Sequence, residues 1–89
     1  MTVLKTDVIN SKQIRLVEDC YVDCGYAASH DFAVYTNEFK IQIKFLFFWI
    51  TIKSYGYTYD VYAQPYEVES EIAYQKQCAE ETFDFLINN

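Results

Sequence analysis

Cys20-x-x-x-Cys24, with His30 and Cys78 further along, supplies the donor types of a Cys₃His zinc site. Structural zinc sites favour a Cys-x₂-Cys turn and a second close pair, which this spacing lacks. If residues 20–24 form a strand, the two thiols share a face but stand about 13 Å apart, too far for one ion. On a helix they would be neighbours. The pattern favours three small buried hydrophobes over a metal centre, so no metal and no cofactor are expected. The same residues hold the parts of a Cys–His nucleophile pair, since His30 is the single histidine. No Gly-rich oxyanion loop accompanies them, and Ser29-His30-Asp31 reads as a turn. Carboxylates are plentiful, but general acid work needs one that is raised by burial. Gly25 and Gly56 are the only two glycines, so no glycine-rich phosphate loop can form. The expectation is a protein without catalytic residues.

Two other sets of residues stand out. The first is acidic: Glu67, Glu69, Glu71, Glu80, Glu81 and Asp84. Residues 1–59 carry six acids and six bases, whereas residues 60–89 carry seven acids and only Lys76. The whole formal charge of −6 therefore lies in the last third of the chain. A conventional nucleic-acid binder needs a basic patch, which a pI of about 4.5 argues against. A protein partner with a basic surface fits better. The second set is aromatic: Tyr55, Tyr57 and Tyr59 would share one strand face, followed by Tyr62 and Tyr66. Stacked aromatics can bind single-stranded nucleic acid, but such platforms come with cationic grooves, and here the neighbours are Asp60 and Glu67. Tyrosine is also enriched at protein interfaces. Interface and core remain open for these rings.

The elements that must position these residues are read from periodicity. Eighty-nine residues suit one domain spanning 1–89, with about 64% of its unfolded surface buried. Hydrophobic residues make up 52%, too many for disorder. Residues 13–24 alternate, with Ile14, Leu16, Cys20, Val22 and Cys24 on one face, which favours a strand. A helix also fits, since Asn10 with Gln13 resembles a capping box and Gly25 could end it. Residues 39–53 alternate and then become apolar on both faces from Leu46 to Ile52. Fifteen residues is long for one strand, so a bulge or tight turn near Phe45–Phe48 should divide it. Ser54-Tyr55-Gly56 reads as a hairpin turn and 57–63 as the returning strand, ended by Gln64-Pro65. The spacing of Val68, Ile72, Gln75, Ala79, Phe83 and Leu86 predicts an amphipathic helix over about 67–87. The expected fold is α+β: an antiparallel sheet of three to five strands packed by one C-terminal helix.

The N-terminus shows no cationic stretch followed by an apolar one, so no secretion signal is expected. The apolar run Phe45–Ile50 is too short to span a bilayer, so no membrane partner is expected either. An odd number of cysteines fits reduced thiols in a cytoplasm.

The stretch Lys44-Phe45-Leu46-Phe47-Phe48-Trp49-Ile50-Thr51-Ile52-Lys53, followed by an acidic helix ending Ala79-Glu80-Glu81-Thr82-Phe83-Asp84-Phe85-Leu86-Ile87, resembles the small accessory proteins of large tailed bacteriophages. The likeness covers about half the chain and lies in composition and order. Many such proteins act early in infection by blocking a host enzyme or defence factor. The resemblance implies a host-directed inhibitor in the host cytoplasm, with the acidic helix and the tyrosine strand as its contact surface. The expected function is a non-enzymatic protein-binding module that blocks a nucleic-acid-handling or defence protein, in its sharpest form as a nucleic-acid mimic. The alternative is a small structural or self-assembling homodimer, suggested by the two-sided apolar stretch 45–52.

Overall fold

Alternation of apolar and polar residues along 13–24, with Glu18 as an exception, and along 39–45 favours strands over helices. The computed structural model describes residues 1–27, 30–60 and 62–88, with side chains described outside 23–32. Its elements are β1 (Thr2–Ile9), β2 (Lys12–Ala27), β3 (His30–Phe45), β4 (Phe48–Asp60) and α1 (Pro65–Ile87). The four strands lie in sequence order, each antiparallel to the next. The helix covers one face of this meander, giving the expected α+β architecture.

Residues 13–24 belong to β2, so the strand reading holds and the helical alternative does not. Asn10 and Ser11, at φ 50° and 69°, form the tight turn between β1 and β2 instead of a helix cap. The long apolar segment is divided where expected, at Leu46-Phe47, between β3 and β4. Leu46 sits there at φ 57°, a conformation that costs a side-chain-bearing residue about 1–2 kcal/mol. The hairpin turn expected at Ser54-Tyr55-Gly56 is absent. These residues and 57–60 continue β4 without interruption. Gly56 serves packing here: a Cβ at that position would lie 3.3 Å from the Asn37 carbonyl oxygen. Pro65 opens the helix rather than merely ending a strand, which suits a residue with no N–H to satisfy.

Register places Ile14 and Leu16 of β2 opposite Ile43 and Ile41 of β3 on the helix side. Phe39 follows on the same face, opposite Tyr55 of β4. Ala79 and Phe83 of α1 close on this floor, and Ile14, Leu16, Phe39, Ile41, Ala79 and Phe83 form the core. A bulge at Leu4 lets β1 turn two successive residues to this side. Leu4 packs on the core, and Lys5 reaches Glu80 and Asp84, 3.6 Å from each. The opposite face is mostly polar around a fully buried Val17, which pairs with Val3 and Lys40. Lys40 bridges Asp19 (3.1 Å) and Glu38 (3.2 Å), and those two hydrogen bonds hold its ammonium above the usual lysine range. Arg15 donates to Gln42 and lies 4.0 Å from the centre of the Trp49 ring.

The core occupies only the middle of the molecule. The radius of gyration is 15.7 Å, against about 12 Å for a compact chain of this length, and the extents are 53 × 29 × 16 Å. Both ends of the sheet run past the helix. Replacing Phe83 by Ala should cost about 3–5 kcal/mol, measured by urea unfolding, because the sheet has no second layer to close the void. Leu46→Gly should gain about 0.5–1 kcal/mol in the same assay, the relief of strain being partly offset by glycine's greater freedom in the unfolded chain.

Candidate functional site

Burying the stripe Val68, Ala79 and Phe83 decides where the acids of α1 go. At about 100° per residue, Glu67, Glu71 and Glu81 fall on one flank of that stripe and Glu69, Glu80 and Asp84 on the other. The six expected contact residues therefore form two rows rather than one face. Glu67, Glu69, Glu71, Glu81 and Asp84 are exposed and Glu80 is half-buried. Lys5 partly neutralises Glu80 and Asp84, and Gln77 donates to Glu81 at 3.1 Å. At this exposure such ion pairs contribute about 0–1 kcal/mol, so they leave the carboxylates accessible. Lys76 is the only base in the helix, and the last turn has none. Six carboxylates over eighteen helical residues amount to one per about 4.5 Å of axis. One DNA strand carries a phosphate every 3.4 Å or so.

The tyrosines divide between core and surface. Tyr55 packs on the core, and its hydroxyl is 2.6 Å from Thr82 Oγ1, tying β4 to α1. Tyr59 stacks on Tyr35 of β3 at 5.5 Å and on Tyr57 at 6.0 Å, in near-parallel planes. Tyr55, Tyr57 and Tyr59 do share the helix side of the sheet, but only Tyr57 and Tyr59 lie beyond the core. Tyr35 completes their stack, and sequence reasoning missed it. The signal was available in parity, because antiparallel pairing sets Tyr35 directly opposite Tyr59. Beside this stack, Tyr35, Tyr59, Asp60, Val68, Glu69 and Ile72 line a shallow groove at the N-terminal end of α1.

The cysteines differ from the expectation of three buried hydrophobes. Cys20 is exposed and lies 3.2 Å from Asn37 Oδ1, an acceptor nine-tenths buried in mid-sheet. Cys78 is half-buried on α1, where its hydrogen bond is the largest cause holding the Tyr74 hydroxyl above the usual range. The side chains of Cys24 and His30 lie outside the described residues. His30 itself begins β3, paired with Ala27. Among the described residues, no three His, Cys, Asp or Glu side chains are arranged to hold a metal ion. No described helix is long and apolar enough to cross a membrane.

The last feature is the turn between β3 and β4. Phe47 is 96% exposed, Leu46 70%, Phe48 55% and Phe45 45%. The apolar stretch Leu46–Ile52 is not a central strand: it spans this turn and the start of edge strand β4, where Ile50 and Ile52 are also exposed. Lys12 lies over the Phe45 ring at 5.8 Å and Lys44 near Trp49 at 6.0 Å. No family model, curated protein or solved structure matches the chain.

The division among the tyrosines can be measured. Tyr55→Ala should lower stability by about 2–4 kcal/mol, through lost packing and the lost bond to Thr82. Tyr57→Ala should change it by under about 1 kcal/mol in the same thermal and urea scans, because that ring lies outside the core.

Proposed function

We propose that the chain is a non-enzymatic protein-binding module that acts by stoichiometric occupation of a basic surface on its partner. Its sharpest form is an inhibitor of a host nucleic-acid-handling or defence protein, with α1 standing in for a strand of phosphates. The observation that carries this reading is the carboxylates displayed along both flanks of α1, five of the six exposed and accompanied by one lysine. The resemblance to accessory proteins of tailed bacteriophages points the same way. In this reading the Tyr57–Tyr59–Tyr35 stack adds apolar contact area next to the acidic N-terminal turn, and charge steers the encounter.

The partner is to be captured from a bacterial lysate at low salt and its complex reconstituted from purified components. Glu67→Lys, Glu71→Lys and Glu81→Lys together reverse the row that has no lysine opposite it. The triple variant should keep its melting temperature within a few degrees, since all three side chains are exposed. Its affinity should fall at least about tenfold at low salt, and the wild-type affinity should itself weaken as salt rises. Equal affinity of variant and wild type at low salt would remove the acidic helix from the contact and with it the mimicry.

A further inference from the structure

The fold makes no use of Phe47. Its ring is 96% exposed at the tip of the β3–β4 hairpin, and Leu46 beside it is exposed in a strained conformation. A two-residue turn is better served by glycine or asparagine, so neither the turn nor the core accounts for these side chains. Phe45 and Phe48 flank them, their rings in edge-to-face contact at 6.0 Å. Ser11, Lys12, Gln13 and Lys44 join Phe45 and Leu46 around one shallow depression, and none of them is acidic. This end of a strongly acidic protein is therefore an apolar wedge with a cationic rim. What it fits is an apolar recess with an anionic rim.

Such a recess lies at the other end of β4. Tyr35, Tyr59, Val68 and Ile72 supply the apolar floor of the groove, and Asp60 and Glu69 supply its rim. No lysine or arginine lines it. A molecule cannot fill its own groove, because Phe48 and Tyr59 are eleven residues apart on one strand, about 36 Å. Tip-to-tip pairing about a two-fold axis would bring the Lys12 and Lys44 ammonium groups of two molecules together, which is unfavourable. An anionic bilayer would accept the wedge, but it would repel the carboxylates spread along α1.

We infer that the Phe45–Phe48 tip of one molecule docks in the Tyr35–Ile72 groove of a second copy of this chain. The contact is heterologous, so each bound pair keeps one free tip and one free groove and can grow further. Apolar burial of Phe47 supplies the attraction, and Lys12 and Lys44 against Asp60 and Glu69 set the orientation.

The test is mass in solution, by sedimentation velocity and light scattering from low micromolar to near-millimolar protein. Wild-type mass should climb past the dimer with concentration. Phe47→Asp should stay monomeric, as should Asp60→Lys combined with Glu69→Lys. Circular dichroism should show both folded, since the three side chains are exposed. Mixing the two variants leaves one good groove and one good tip, and the mass should stop at a one-to-one heterodimer. A wild type that is monomeric throughout, a Phe47→Asp variant that assembles normally, or a mixture with no heterodimer would each overturn the inference. So would a monomeric wild type that binds phosphatidylserine vesicles and loses them with Phe47→Asp, which would assign the tip to a bilayer.

Discussion

Phe83 and Ala79 are pressed onto Leu16, Phe39 and Ile41, and no second layer of structure backs the sheet on its other side. The apolar face of the sheet must be covered, and this single interface supplies most of the apolar burial available to the domain. It also dictates the rest of the surface. Once one stripe of α1 faces the sheet, six carboxylates must divide between its two flanks. The uncovered sheet face must satisfy its own polar groups, which it does through ladders such as Asp19–Lys40–Glu38 and Arg15–Gln42. The described residues leave no buried side-chain nitrogen or oxygen without a partner.

The sheet is longer than the interface that stabilises it. The two ends of β4 keep distinct chemistries: lysines and phenylalanines at the β3–β4 turn, tyrosines and acids where β4 meets α1. A compact domain of this size would have folded such groups against one another. Here the ladder holds them apart, so the molecule has two poles of opposite charge, with aromatic rings at both.

What the sequence disclosed follows from how local each signal is. The helix is periodic over more than four repeats and packs as that pattern says, whereas the alternation of β2 also allowed a helix until its pairing with β1 and β3 decided it. The α+β class and the break near residue 46 were legible from such local patterns. The misplaced turn at Ser54-Tyr55-Gly56 shows the opposite case. Glycine reads as a turn residue, but Gly56 lies in mid-strand where a Cβ would crowd a neighbouring strand's carbonyl, a fact set by register. The real turn uses Leu46, which no propensity would choose. Of the candidate site, the acidic helix and the shared face of Tyr55, Tyr57 and Tyr59 were readable. The division of the acids into two rows needed the buried stripe to be known. The demotion of Tyr55 to the core needed Thr82, twenty-seven residues away. Free cysteine is commonly buried, which is why Cys20 reads as interior, yet it is exposed beside Asn37 on β2.

The order of elements along the chain has a consequence for synthesis. All four strands precede α1, and each pairs only with its neighbour in sequence. The sheet can therefore zip up as it leaves the ribosome, with little loop entropy to overcome. Its apolar face must then wait for residues 61–87, roughly one to five seconds at ordinary elongation rates. Through that interval Ile14, Leu16, Phe39 and Ile41 lie open to water and to other nascent chains. The protein's most vulnerable moment falls just before its last helix arrives, and a chaperone would have its strongest claim on the chain then.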